Sequence, residues 1–274
     1  MKSRRKKRNK RDKKRGIYLL PNLFTSASLF GGFYAIIAAI QHRFEAASVA
    51  ILVSCLFDAL DGKVARYTHT SSHFGTEYDS LSDLVAFGVA PGILAFQWAL
   101  QPYGRLGWLA SFTYVICGAL RLARFNIQNR AQNTGFFKGL PIPSAAALIA
   151  SLILFTSALG GGSQSLHVLA LVVVYLLSFL MVSSLDYLSF KKFETRRQKP
   201  FNVLVSIILM LIVVAYRPRI VLFFIISAYV ISGPITTILR TKTRRASITP
   251  SMVDLPFIST KDEVDEAPDT QAAR

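Results

Sequence analysis

The chain has 274 residues, of which 52% are apolar and only 17% are charged, and its mean hydropathy is +0.40. This composition excludes an ordinary soluble domain and predicts an integral membrane protein. The net charge of +17 would also suit a nucleic-acid-binding protein, so the location of the basic residues decides what that charge means.

Apolar runs recur along the chain, and most are long enough to cross a hydrocarbon core of about 30 Å as a helix. They show no two-residue alternation, which predicts an all-α membrane bundle and not a barrel. The seventh run is short. We expect about eight transmembrane helices, at residues 23–41, 44–65, 79–100, 106–125, 143–159, 166–185, 201–215 and 220–239.

Basic residues concentrate on one side of this predicted bundle. Eleven precede the first helix, between Lys2 and Arg15, and eight crossings place 26 on that side against four on the other. The positive-inside rule then predicts cytoplasmic termini for a multi-pass protein of the cell membrane, plasma or inner. A basic segment beside a membrane helix is typical of contact with anionic lipids, so nucleic acid is not an expected partner.

Composition also predicts the domain limits. Residues 1–16 form a basic cytoplasmic tail, residues 17–240 a membrane domain, and residues 241–274 an acidic, aperiodic and disordered cytoplasmic tail. Cys55 and Cys117 have no metal-binding spacing, and we expect both to be small core residues.

Four aspartates lie inside this apolar sequence. Asp58 and Asp61 fall at the cytoplasmic end of the second predicted helix, and Asp79 and Asp83 open the third. Carboxylates inside a bundle cost a few kcal/mol each, which makes them candidates for function. Each pair shares a helix face, and a short loop brings both pairs to the same depth. Four converging carboxylates require neutralising cations, and Mg²⁺ or Mn²⁺ suits oxygen ligands.

The alternative is that nearby cations simply form ion pairs with these acids. Lys63 and Arg66 are the basic residues closest in sequence, and two cations cannot balance four carboxylates. Small residues among the acids, Gly62, Ala65 and Gly75, would let a flat ligand approach the backbone. A functional site is therefore the favoured interpretation.

With its spacing written out, the acidic stretch is Asp58-x2-Asp61-Gly62-x2-Ala65-Arg66-x8-Gly75-x3-Asp79-x3-Asp83. It resembles the complete signature of the CDP-alcohol phosphatidyltransferase family, with every fixed position filled. Eight fixed positions at set spacings make this a specific motif.

The resemblance implies an enzyme that uses two divalent ions, Mg²⁺ or Mn²⁺, to bind the pyrophosphate of a CDP-linked lipid. Carried over, Asp58, Asp61 and Asp79 are metal ligands, and Asp83 is both a ligand and the general base for the incoming alcohol. The same resemblance assigns CDP-lipid binding to a further set of residues, which comprises Asn22 and Thr25 of a Pro-Asn-x-x-Thr entry together with Gly62, Ala65, Arg66, Ser72 and Gly75.

Three further strings, at residues 121–126, 137–143 and 187–191, resemble the members of this family that use serine as the acceptor alcohol. Serine carries a carboxylate, and arginine is its natural partner. Positive-inside anchoring is the alternative for these basic groups. The expected serine-binding residues are Arg121, Arg124, Asn126 and Lys191.

The predicted partners are therefore CDP-diacylglycerol, L-serine and membrane lipids, and a homodimer is left open. Glycerol 3-phosphate or inositol phosphate could replace serine with the same chemistry. An ion or proton transporter also keeps carboxylates in a bundle, although near the midplane and without the glycine and alanine spacing. A nonenzymatic scaffold would leave the acids unexplained.

Overall fold

The computed structural model describes residues 22–68, 73–131, 137–160, 164–187 and 217–246. Within these ranges the chain is helical apart from one antiparallel pair of two-residue strands, β1 (Phe137–Lys138) and β2 (Asp186–Tyr187). Contacts divide the chain into two compact units, Met1–Ile238 and Leu239–Arg274. The helices are α1 (Asn22–Ile40), α2 (Phe44–Thr68), α3 (His73–Tyr103), α4 (Arg105–Ala131), α5 (Ile142–Ala158), α6 (Gln164–Val182) and α7 (Pro218–Ala246).

In the described part of the chain, four helical stretches are long and apolar enough to cross a membrane: α1, α3, Arg105–Ile127 of α4 and Pro218–Thr237 of α7. The apolar helices α5 and α6 are shorter. Large side chains such as Phe30, Phe112 and Phe179 point outward, as expected where hydrocarbon replaces water. The all-helical, membrane-embedded fold is confirmed. The count of eight spans stays a prediction, because residues 201–215 lie outside the described residues.

The third helix begins earlier than the sequence predicted. It starts at His73 and not at Asp79, so Asp79 and Asp83 lie in its second and third turns. The first turn of this helix is polar, and it is held by backbone hydrogen bonds that need no apolar side chains. A search for apolar runs therefore misses it. The last helix likewise continues to Ala246, beyond the predicted end at residue 239.

Small residues let α1 approach both α2 and α3. A side chain at Gly31 would collide with Ser54 of α2, and one at Gly32 would collide with Ala86 of α3. The Ser28 hydroxyl donates to the Ser54 carbonyl across the same interface, at 3.2 Å. Close packing of small residues is the usual way for helices to associate in a membrane.

A proline interrupts the hydrogen bonding of α3, and a tyrosine of α4 compensates for it. Pro91 has no amide hydrogen to donate to the carbonyl of Phe87, four residues earlier. The fully buried Tyr114 donates its hydroxyl to that carbonyl, at 3.1 Å. This stretch of α3 is π-helical, at Leu84–Val89. An unsatisfied backbone carbonyl is costly in lipid, so this hydrogen bond is stabilising. It also joins α4 to α3 one turn beyond Asp83.

A tight turn places the start of α5 beside α2. Gly139 has φ = +84°, and a side chain there would collide with the Met181 carbonyl. Its amide donates to the Leu185 carbonyl at 2.8 Å, which ties the turn to the end of α6. The Cys55 thiol of α2 then contacts the Pro143 carbonyl in the first turn of α5, at 3.7 Å.

Candidate active site

The four aspartates converge as the sequence predicted. One carboxylate oxygen from each of Asp58, Asp61 and Asp79 lies within 4.8 Å of the others. Asp83 lies one turn beyond Asp79, and its carboxyl group is within hydrogen-bonding distance of that of Asp58. The spacings of three residues on α2 and four on α3 put each pair on one helix face, and the two faces oppose each other.

No salt bridge to the four aspartates is formed by the side chains that the structure describes, although Arg121 interacts electrostatically with Asp83. Among the described side chains, the ion pairs are His73–Glu77 and Arg219–Glu45, and neither involves the four aspartates. Asp61 is 5% exposed, and the other three are half-buried. Carboxylates this close cannot all stay ionised without protons or cations between them. A set of hard oxygen donors fits Mg²⁺ or Mn²⁺.

Helix α1 orients one of these carboxylates. The Thr25 hydroxyl donates to Asp61 Oδ2 at 3.0 Å, and both side chains are buried. The Ser82 hydroxyl of α3 donates to the backbone carbonyl of Thr25 at 3.1 Å. The Thr25 hydroxyl is thus engaged with an expected metal ligand, and its predicted contact with the CDP-lipid stays a prediction.

Asn22 starts α1 beside the same cluster. Its carbonyl accepts a hydrogen bond from the Ser26 hydroxyl at 2.8 Å. Ser26 also shares a hydrogen bond of 2.9 Å with the hydroxyl of Tyr78, the neighbour of Asp79 in sequence. The start of α1 is thereby connected to α3 at the level of the acids.

The residues expected to line the nucleotide are only partly described. A Cβ at Gly62 would meet no atom within 4 Å among the residues that the structure describes, so the backbone there faces open space. Gly75 lies half-buried in the first turn of α3. Ala65 and Arg66 lie in the last turns of α2, with side chains outside the described part, and Ser72 lies outside the described residues.

The two arginines expected to bind serine have different surroundings. Arg121 is 9% exposed, interacts electrostatically with Asp83, and its guanidinium lies 5.7 Å from the centre of the Phe125 ring. Arg124 instead donates to the Val182 carbonyl and the Ser184 hydroxyl at the end of α6, at 3.3 and 3.4 Å. Only Arg121 is thus directed toward the acids.

Of the other two expected serine-binding residues, Asn126 donates its side-chain amide to the Ser80 hydroxyl of α3 at 2.9 Å. That serine follows Asp79 directly, so Asn126 links α4 to the acidic helix. Lys191 lies outside the described residues.

Several neighbours of the site carried no motif signal. Cys55 lies one turn before Asp58 and interacts electrostatically with Asp58 and Asp83; both cysteines also pack against the core, as predicted. Ser82 could have been noticed, because it is a small polar residue beside Asp83 in an apolar helix. Tyr229 interacts electrostatically with Arg121, and no local pattern marks it.

Fold and site together define a helical membrane protein whose α2–α3 hairpin carries a carboxylate cluster suited to divalent cations. A profile of the CDP-alcohol phosphatidyltransferase family matches residues 18–180, which include α1 to α5 and nearly all of α6. The chain belongs to this family.

Its relatives point to one branch of the family. The chain is 39% identical to a Helicobacter pylori protein over 220 residues, which cover 79% of this chain and 90% of the relative. It is 36% identical to a Bacillus subtilis protein over 173 residues, 63% of this chain and 92% of the relative. Both are named CDP-diacylglycerol--serine O-phosphatidyltransferase. An archaetidylserine synthase of Methanothermobacter thermautotrophicus is 38% identical over 172 residues, 61% of this chain and 69% of the relative.

Proposed function

We propose that this protein transfers the phosphatidyl group of CDP-diacylglycerol to the hydroxyl of L-serine, which yields phosphatidylserine and CMP. The observation that carries the proposal is the convergence of Asp58, Asp61, Asp79 and Asp83 at the positions of the family signature. The names of the relatives support serine as the acceptor.

The donor set determines what the site could hold. Asp58, Asp61 and Asp79 offer clustered carboxylate oxygens, with Asp83 adjacent, and would hold two Mg²⁺ or Mn²⁺ ions. When bound, these ions would offset the charge of the pyrophosphate and the charge that develops on departing CMP. Thr25 would keep Asp61 oriented for this role through its hydrogen bond.

Asp83 is the residue that we assign as the general base. Its carboxylate accepts the proton of the serine hydroxyl while the serine oxygen forms a bond to the phosphorus on the lipid side. The bond from that phosphorus to the bridging oxygen breaks, and CMP leaves with the electron pair. Arg121, which is close to Asp83, would hold the serine carboxylate. Arg124, Asn126 and Lys191 stay predictions for the same pocket.

The lipid part of the donor needs an apolar surface that continues from the acids. A groove of about 650 Å³ follows α1 and α2 and is lined mainly by apolar residues, among them Ala27, Val53 and Phe57, together with Glu45. Phe57 immediately precedes Asp58, so a diacylglycerol chain lying in this groove would keep its phosphate near the carboxylates. Gly62 leaves open space on the same helix, where the cytidine could lie against the backbone.

The orientation follows from the charge bias. With the N-terminus in the cytoplasm, the acids would face the cytoplasm, and both termini of this multi-pass protein of the cell membrane, plasma or inner, would lie there.

Purified full-length protein tests the proposal. It should be given CDP-diacylglycerol with L-serine, glycerol 3-phosphate or inositol phosphate in separate reactions, and the lipid formed should be identified by mass spectrometry. We expect phosphatidylserine and CMP, with turnover abolished by a chelator and restored by Mg²⁺ or Mn²⁺. A different lipid product would show that another alcohol, and not serine, is the acceptor. The absence of any CMP release would favour a transporter.

A further inference from the structure

A polar cavity lies at the end of the bundle opposite the four aspartates. It has a volume of about 500 Å³ and is formed where α2 begins, α5 ends and α6 begins. Glu45 in its lining and Asp58 are 13 positions apart on α2. At a rise of about 1.5 Å per residue, the cavity therefore lies roughly 20 Å from the acids. We call it the distal cavity, and it is separate from the candidate active site.

The acid that lines the distal cavity is already neutralised. Arg219 of α7 forms an ion pair with Glu45, with 3.0 Å between Nη2 and Oε2. The Ser157 hydroxyl of α5 donates to the other carboxylate oxygen. Phe155 of α5 stacks on Phe223 of α7 at a centroid distance of 4.6 Å, which holds α7 beside α5 at this end. Glu45 thus leaves little negative charge with which the cavity could bind a cation.

The other charged and titratable groups in the lining are basic. Arg43, His42 and His167 line the cavity, and among the described residues no ion pair or hydrogen bond engages their side chains. His42 has φ = +58°, a backbone conformation that is costly for a residue with a side chain, and its ring meets the Phe44 ring edge-on at 5.7 Å. Residues held in such conformations cluster at ligand-binding sites. An anion is therefore the ligand that this lining favours, and arginine is well suited to phosphate.

The distal cavity adjoins the apolar groove between α1 and α2. Glu45 and Ala46 line both the cavity and the groove, and the groove continues along α2 past Val49 and Val53. Trp98, which is half-buried in the cavity lining, is of the side-chain type that concentrates at the boundary between hydrocarbon and headgroups. A basic cavity at this level with an apolar groove beside it matches a phospholipid, which joins a charged head to acyl chains.

We propose that the distal cavity binds the phosphate of an anionic phospholipid, one acyl chain of which lies in the adjoining groove. The lipid belongs to the leaflet opposite the active site, because the cavity is at the start of α2 and the acids lie toward its end. The CDP-lipid donor would enter the groove from the other end, at Phe57. The site does not depend on the reaction proposed above, since its lining includes none of the residues assigned to that reaction.

Binding of phosphatidic acid to the purified full-length protein tests this site. Titrations followed by native mass spectrometry give the Kd, and a chelator keeps divalent ions from recruiting the lipid to the aspartates. Diacylglycerol with the same chains and inorganic phosphate are the two comparison ligands. We expect phosphatidic acid to bind about tenfold or more tightly than diacylglycerol, the difference expected for hydrogen bonds to a charged group. Inorganic phosphate at the same concentration should not displace it.

Substitutions in the lining locate the binding site. Arg43→Gln and the double variant Arg43→Gln/His167→Gln should each weaken phosphatidic acid binding by about tenfold or more, whereas Arg43→Lys keeps the charge and should lose less. Val49→Trp should weaken binding as well, because the larger side chain obstructs the groove. Arg105→Gln is the matched control, since Arg105 is exposed at the start of α4, at the same end of the bundle and outside the cavity lining. Its Kd should stay within about twofold of the wild type.

The thermal midpoint without lipid separates binding from folding. The Arg43 side chain is exposed, so Arg43→Gln should keep the midpoint of the wild type, and this variant decides the question even if the double variant is less stable. An unchanged Kd in Arg43→Gln, or equal binding of diacylglycerol, would overturn the phosphate site. Displacement of phosphatidic acid by inorganic phosphate, with binding unaffected in Val49→Trp, would overturn the lipid and leave a soluble anion as the ligand. All these results are independent of whether the protein makes phosphatidylserine.

Discussion

Replacing Thr25 with valine should weaken the response of the enzyme to its metal ion. Valine has nearly the same shape as threonine but cannot donate a hydrogen bond. The Thr25 hydroxyl donates to Asp61 Oδ2 at 3.0 Å, with the two residues only 4% and 5% exposed, so water cannot readily replace it. Asp61 would then be free to rotate away from the orientation in which it faces Asp58 and Asp79.

The size of the effect follows from the type of bond. A buried hydrogen bond to a charged group contributes about 1.5–3 kcal/mol, and each 1.4 kcal/mol corresponds to a factor of ten. Loss of a residue that orients a metal ligand typically lowers metal affinity by about 10- to 100-fold. We therefore expect the Mg²⁺ concentration for half-maximal activity to rise by about 10- to 100-fold.

The assay is CMP release against free Mg²⁺ in a metal buffer, at saturating serine and CDP-diacylglycerol. Thr25→Ser keeps the donor and should remain within a few-fold of the wild type. Thr113→Val is a control for the substitution itself, because Thr113 is exposed and donates only to the Leu109 carbonyl of its own helix. The reasoning is refuted if Thr25→Val leaves the Mg²⁺ dependence unchanged. A raised KM for CDP-diacylglycerol alone would instead support the nucleotide contact predicted from the sequence.

Three further predictions address the base, the nucleotide wall and the topology. Asp83→Asn should lower turnover by about 10²- to 10⁴-fold while CDP-diacylglycerol binding largely persists, and comparable losses of both would leave Asp83 as a ligand only. Gly62→Ala should keep or raise the thermal midpoint, because a Cβ there meets no described atom and alanine favours helix. The same variant should raise the KM for CDP-diacylglycerol. As a contrast, Gly107→Ala should lower the thermal midpoint, because its Cβ would collide with the Leu100 carbonyl. A cysteine placed at Ser163 should be labelled from outside intact cells and one at Ser247 should be protected, whereas the reverse pattern would invert the orientation.

The sequence by itself was sufficient for the class of fold and for the acids of the site. Apolar runs longer than about 20 residues report a membrane helix directly, because the bilayer is the partner and no tertiary contact is needed. Asp58 with Asp61, and Asp79 with Asp83, meet for an equally local reason, since helix periodicity puts residues three or four apart on one face. The signature motif then identified the family, which the family profile confirmed.

The sequence patterns did not predict where the helix that carries Asp79 and Asp83 begins, or which arginine side chain is directed toward the acids. The first turn of α3 is polar, so hydropathy missed the start at His73. Arg121 and Arg124 are three residues apart, yet one is directed toward Asp83 and the other toward the end of α6, because their long side chains follow different neighbours.

Only the tertiary structure decided which residues act together across helices. Thr25 and Asp61 are 36 positions apart, and their contact depends on the glycines that let α1 approach α2 and α3 closely. Tyr114 finds the Phe87 carbonyl only because α4 packs beside the proline of α3. Such pairs have no sequence period, since the distance between two helices is set by the volumes of all the side chains between them.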